Sequence, residues 1–248
     1  MNNIQYFLTM KTYSEDFYVK SYETDINANL KLFAFMNYAQ ELAGRHADLL
    51  GFGYDNLIGD NVAWVLSRFH VKFNKTPKWR ENLTLKTWHK GGDRLFWYRD
   101  FEATDNSGEV IIKATSSWVV INIETRKMQK IDSLGYSDSI NIQDSLPEHA
   151  EKIVPPHDME YIYTKKVSFS DIDINRHTNN AKYVEWAMDA IDPEFASEMC
   201  VTDMFLNFNM ESRLGDSIEI FRSVTGNTVV VEGKKEGNPV FTFKLFIK

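Results

Sequence analysis

The chain has one cysteine, Cys200, among its 248 residues, so no intramolecular disulfide framework can hold it together. It also lacks a surplus of basic charge. Its 28 lysines and arginines face 35 acidic residues, and the resulting formal charge of −7 argues against nonspecific nucleic-acid binding, which depends on counterion release by a basic surface. No run approaches the ~18 consecutive apolar residues that a membrane helix needs, and mean hydropathy is −0.38. The opening MNNIQYFLTMKTYS has neither the basic flank nor the apolar stretch of a secretory signal. The expectation is a soluble, cytoplasmic protein. His46, His70, His89, His149 and His157 lack ligand spacing with cysteine or acidic partners, so no metal is expected. Gly91-Gly92 reads as a hairpin and not as a phosphate cradle, because no helix-opening GxGxxG or lysine motif follows it. No cofactor is implied.

What the chain does contain is a duplication. Asp-Ile-Asn occurs at Asp25-Ile26-Asn27 and again at Asp173-Ile174-Asn175, and only the second copy runs on into a histidine. Superposing the two copies pairs Val19 with Val167, Phe35 with Tyr183, Tyr38 with Trp186 and Ala39 with Ala187. A second offset downstream pairs Phe73-Asn74 with Phe208-Asn209, Glu81 with Asp216, and Leu83-Thr84-Leu85 with Ile218-Glu219-Ile220. A repeat this long means duplicated domains, and 43% hydrophobic content can fill two cores of roughly 100 to 150 residues each. The copies differ where it matters: Asn29 stands opposite His177, and Thr76 opposite Glu211. The half that kept ionisable groups is the one to search for chemistry.

Each half reads as a helix followed by strands. After a first strand at Phe17 to Glu23, residues Leu30 to Leu50 are apolar around most of a helical circumference, the mark of a helix buried on nearly every side. Strand-like segments follow at Val62 to Asn74, Leu83 to His89, Leu95 to Thr104 and Val110 to Ile123, with Lys90 to Asp93 as a turn. In the second half Lys165 to Ser170 reads as a strand and Asn179 to Ile191 as a helix ended by Pro193. Strands come next at Met204 to Asn209, Ser217 to Val224, Val229 to Lys235 and Val240 to Ile247. Long antiparallel strands wrapping a central helix make an α+β, hot-dog architecture. Two such domains in tandem form a pseudo-dimer, with residues 1–135 as the first copy, 136–160 as a linker and 161–248 as the second. A further homodimer of pseudo-dimers is compatible with this plan.

Asp173, Asn175 and His177 alternate by two, which in extended chain points three polar side chains the same way, just before a helix begins. Helix N-termini favour negative charge, so an oxyanion could be stabilised there. Asn can donate an amide hydrogen, His can shuttle a proton, and Asp can orient either or act as base or nucleophile. The blander alternative is strong: Asp or Asn before a helix is more often a cap than a catalyst, and residues 25 to 27 illustrate it. Glu211 alone reads as a solvated charge near a strand end. The added His177 and the asymmetry between halves tip the balance toward a site of Asp173, Asn175, His177 and Glu211.

The run DIDINRHTNNAKYVEWAMD, followed by LNFNMESRLGDS, resembles the catalytic domain of acyl-acyl carrier protein thioesterases, the double hot-dog enzymes of fatty-acid synthesis, and the resemblance covers most of the chain. It implies hydrolysis of fatty acyl thioesters. Matched by position, it implies Asp173, Asn175 and His177 as catalytic residues, with Glu211 as the acidic residue of the later strand and the first copy as the acyl-chain pocket. The plant enzymes commonly place a cysteine after that glutamate. Here it is Ser212, so a cysteine nucleophile is disfavoured, and Cys200 reads as a small buried apolar residue. The implied partner is an acidic acyl carrier protein with a phosphopantetheine arm, and a protein of charge −7 must meet it through a local basic patch. Arg176, Lys182 and Arg213 are the candidates. The alternatives are a hot-dog enzyme acting on coenzyme A thioesters and a noncatalytic acyl-binding module.

Overall fold

The computed structural model describes residues 11–93, 95–129 and 140–248. The expected boundary between residues 135 and 136 and the first ten residues lie outside that range. Ten strands form one antiparallel sheet: β1 (Tyr13–Tyr18), β2 (Val62–Phe73), β3 (Asn82–Gly92), β4 (Trp97–Asp105), β5 (Val110–Asn122), β6 (Glu160–Lys166), β7 (Val201–Phe208), β8 (Ser217–Thr225), β9 (Thr228–Lys235) and β10 (Asn238–Ile247). Their order is β1-β3-β4-β5-β2-β7-β10-β9-β8-β6, so the halves meet at the β2–β7 pair, in register from Arg68 opposite Asn207 to Lys72 opposite Asp203. Across this seam His70 Nε2 lies 2.9 Å from Asp203 Oδ1.

Each half lays one long helix on the sheet, α1 (Leu32–Leu49) and α3 (Asn180–Asp189), with short helices α2 (Tyr54–Gly59) and α4 (Pro193–Glu198) following them. Leu32, Phe35, Met36, Ala39 and Leu42 of α1 are buried, and they join Tyr183, Val184 and Ala187 of α3 in one hydrophobic cluster with the inward faces of the strands. One core therefore serves both halves. Burial at about 25 cal/mol per Å² of apolar surface makes this cluster the main source of stability.

The expected elements differ from the observed ones in traceable ways. The first strand of each half ends early, because Ser21–Glu23 and Phe169–Asp171 tighten into 3₁₀ turns in which the Glu23 and Asp171 carboxylates accept the N–H groups of Lys20 and Ser168, 2.9 and 2.8 Å away. β3 runs through Gly92, and the turn comes later, where Asp93 Oδ1 accepts the N–H groups of Leu95 and Phe96. Pro193 follows the end of α3, as expected, but also opens α4 at its first position, with Asp192 as the cap. Residues 140–159 carry no helix or strand, and they bury Leu146, Ala150 and Ile153. Ser145 and Ile153 N–H groups anchor them on the side chains of Asp100 and Asn207.

Candidate active site

The Asp173–His177 segment is a closed loop and not extended chain, which corrects the alternation argument. The Asp173 N–H donates to the His177 carbonyl (2.9 Å), the Asn175 N–H donates to Asp173 Oδ1 (2.8 Å), and Arg176 takes up φ +62° at the tip. Asp173 therefore uses one carboxylate oxygen to hold the loop and caps no helix, the cap of α3 being Asn179. The first copy closes in the same way, with Asp25 N–H to Asn29 carbonyl (2.9 Å), Asn27 N–H to Asp25 Oδ1 (2.8 Å) and φ +61° at Ala28, and there the Asn29 N–H also donates to Asp25 Oδ1 (2.9 Å). After the second loop, Asn179 caps α3 by accepting the Ala181 N–H, and the Thr178 N–H donates to the Ser212 carbonyl (2.9 Å). That last bond draws the segment after β7 alongside the loop. It is what sets Glu211 beside His177.

His177 Nε2 lies 3.3 Å from Glu211 Oε1, with side chains 27% and 28% exposed. Glu211 is also held by two guanidinium groups. Arg213 Nη2 donates to Oε1 at 2.8 Å, and Arg126 Nη2, from the first half, donates to Oε2. Burial acts to raise the Glu211 carboxyl, but Arg213, His177 and Arg126 together outweigh it and hold the group below its ordinary value. Arg126 escaped the sequence reading. It sits at φ +59° in the turn after β5, its N–H bonded to the Asn122 carbonyl, and no motif marks it. The paired differences between halves could have prompted a search for a cation facing Glu211, but not its location.

Ser212, at the position where the plant enzymes place cysteine, is fully buried. Its hydroxyl pairs with Thr178 Oγ1 (2.7 Å) and the Tyr183 hydroxyl (3.0 Å), so it ties the loop and α3 to the segment after β7, and it is not among the residues lining the cavity described next. Cys200 is exposed, not buried as expected, and does not line the cavity described next. Arg176 is exposed at the loop tip, whereas Lys182 is paired with Glu185 (2.9 Å) and Arg213 with Glu211. Among the described residues no group of His, Cys, Asp and Glu is placed to hold a metal, and no helix is long and apolar enough to cross a membrane.

Asp173, Asn175, His177, Glu211 and Arg126 share the wall of a cavity of about 1390 Å³. Most of the rest of its lining belongs to the first half: Ala43, Gly44 and Ala47 of α1, Phe52 and Leu57 around α2, and Trp64, Leu66, Trp97 and Trp118 of the sheet. The polar groups of the second half thus gather at one part of the cavity. Gln40 of α1 donates to Asn179 Oδ1 (3.3 Å), so the cap of α3 is itself bonded across the halves.

Comparison with known proteins agrees over the same span. Residues 10–134 match the acyl-ACP thioesterase N-terminal domain and residues 156–244 the acyl-ACP thioesterase C-terminal domain. The chain is 28% identical over 242 residues to oleoyl-acyl carrier protein thioesterase 2 of Arabidopsis thaliana, covering 88% of this chain and 65% of that protein. It is 27% identical over 228 residues to the palmitoyl-acyl carrier protein thioesterase of the same plant, covering 86% and 55%. The chain therefore spans between about half and two-thirds of the length of these curated relatives. Among solved structures, an acyl-ACP thioesterase from Bacteroides thetaiotaomicron superposes with a TM-score of 0.88 at 29% identity, over 96% of this chain and 98% of that one. The 12:0-ACP thioesterase from Umbellularia californica shares the fold, with a TM-score of 0.88 at 22% identity over 96% and 97%. With both family domains matched in order and the double hot-dog sheet shared with a solved member, the chain belongs to the acyl-ACP thioesterase family.

Proposed function

We propose that this protein hydrolyses fatty acyl-acyl carrier protein thioesters to free fatty acid and carrier thiol. The observation that carries the reading is the His177–Glu211 pair, 3.3 Å apart on the wall of a large apolar cavity, in a chain of this family. In this reading the first half supplies the acyl-chain pocket and the second half the chemistry. The acyl chain lies between α1 and the sheet, and the phosphopantetheine arm reaches the site from the surface.

A carboxylate that two guanidinium groups hold ionised is a weak base, and this argues for Glu211 as the group that orients His177, with His177 as the general acid and base. His177 takes a proton from water as the water oxygen bonds to the thioester carbon. It then returns that proton to sulfur as the carbon–sulfur bond breaks. The Asn175 amide donates to the carbonyl oxygen as it becomes an oxyanion. Asp173 holds the loop that presents Asn175 and His177.

Arg176, Lys182 and Arg213 form the proposed docking surface for the acidic carrier. Arg213 also grips Glu211, so reversing it would disturb the site as well as the surface. Arg176→Glu with Lys182→Glu is the cleaner test, and it should raise KM for the carrier-linked substrate far more than for a short acyl-pantetheine. The function itself is tested by incubating the purified protein with a series of acyl-carrier and acyl-coenzyme A thioesters and measuring released fatty acid. Release from carrier thioesters supports the reading. Release only from coenzyme A thioesters, or none from either, overturns it.

A further inference from the structure

The inner wall of the cavity is not apolar throughout. Arg99 on β4 lines it, and its Nη1 donates to His46 Nδ1 on α1 (2.9 Å) and to Thr87 Oγ1 on β3 (3.2 Å). His89 and Ser116 stand directly opposite Arg99 on the neighbouring strands, so a polar row crosses the face that packs against α1. Asp100, next in sequence, faces the other side of the sheet as strand alternation requires, where Lys90 (3.3 Å) and the Ser145 N–H (2.8 Å) hold it. Both side-chain hydrogen bonds of Arg99 among the described residues are made by Nη1, so Nε and Nη2 stand outside them. The residue keeps 6% of its surface accessible and is part of the cavity lining. Burial draws the guanidinium down to about 9, which leaves it charged at neutral pH.

Hydrocarbon packed over such donors would strip away their remaining water and offer no acceptor in return, an unfavourable exchange. The sheet order sets the reach. From β7, which leads to Glu211, the strands β2, β5 and β4 follow in turn, so Arg99 lies three strand spacings away, a lateral separation of roughly 14 Å at ~4.8 Å per strand.

We propose that Arg99 is a specificity-determining residue that sets the far limit of the acyl chain: a methyl end must stop short of it, and a chain ending in an oxygen function can reach it. The inference rests on the thioester hydrolase reading. It assigns no step of the reaction to Arg99.

The test uses carrier thioesters of increasing length, each methyl-terminated or bearing a terminal hydroxyl. In the unmodified protein, kcat/KM for methyl-terminated chains should fall about tenfold or more within two carbons past the best length, and a terminal hydroxyl should restore part of that loss. Arg99→Met should extend the accepted length by two carbons or more and remove the hydroxyl advantage. If that variant does not fold, the hydroxyl comparison in the unmodified protein decides alone. Preference for the methyl-terminated chain at every length, or an unchanged length limit in folded Arg99→Met, overturns the inference while leaving hydrolysis intact. No release from any chain overturns the hydrolase reading first and this one with it.

Discussion

The loops Asp25–Asn29 and Asp173–His177 share their closing backbone bond, the bond to the aspartate side chain two residues back and their left-handed tip, but their side chains serve different ends. In the first, the Asn27 amide donates to the Ser197 carbonyl of the other half (2.6 Å), so a side chain that could bind substrate is committed to holding the halves together. In the second, Asn175 lines the cavity, exposed, with His177 two residues on. The segment after the following strand carries Thr76 in the first copy and Glu211 in the second, drawn in by the matching bonds Leu30 N–H to Pro77 carbonyl and Thr178 N–H to Ser212 carbonyl. One backbone plan thus carries a structural joint and the proposed reactive site, and the difference lies in a few side chains. In the proposed reading, duplication separates the two demands, because the first copy can commit its polar groups to stability and its sheet to an apolar pocket.

The comparison can be broken most sharply at the matched asparagines. Asn175→Ala should lower kcat by roughly a hundredfold to a thousandfold, as loss of an oxyanion donor does, with an unchanged melting temperature. Asn27→Ala should leave kcat within about twofold and lower stability by about 1 kcal/mol or less, a shift of a few degrees at this chain length. Steady-state kinetics and thermal unfolding on the two variants check both halves of the statement. Should Asn27→Ala lose as much activity as Asn175→Ala, the division of labour does not hold.

Arg126 sharpens the comparison, since it is the first half's direct contribution to the second half's carboxylate. Arg126→Met should cost about tenfold to a hundredfold in kcat/KM, the scale of a charge-assisted hydrogen bond. It should also raise the Glu211 carboxyl. A depressed carboxyl is ionised, and keeps its ion pairs, above its folded value and loses them as pH falls through that value, so removing one cation moves the loss to higher pH. The acid limb of the kcat/KM profile should shift upward in the variant, and a profile that keeps its shape would argue that Glu211 is not the group titrating there. The smallest effect is expected at Cys200, exposed and away from the cavity: Cys200→Ser should retain activity within about twofold.

Much of the fold was legible because the duplication recurs in hydrogen bonds as well as residue types. Val19 and Val167, paired by sequence, make the same backbone bonds to Glu81 and Asp216. The buried character of α1 and the strands after each helix could be read from periodicity and composition. The short helices Tyr54–Gly59 and Pro193–Glu198 could not, since six residues are too few to show a helical period. His177 and Glu211 were legible as differences between copies, and the structure brings them together. The shape of their loop was not, because closure by the Asp173 N–H defeats an argument from alternation. Arg126 and Arg99 were invisible for a shared reason: each acts through partners far away in sequence, Glu211 for one and His46 for the other, and neither belongs to a local pattern.

The account rests on His177, the residue that distinguishes the second loop from the first. His177→Asn gives both loops asparagine at this position, with little change in size and an intact backbone plan. Measured as kcat for release of fatty acid from an acyl-carrier thioester, alongside Asn29→Ala as the matched change in the first loop, it should fall by about a hundredfold or more while Asn29→Ala stays within a few-fold of the unmodified protein. Near-normal turnover in folded His177→Asn, or equal losses in the two variants, would contradict the placement of the chemistry in the second copy.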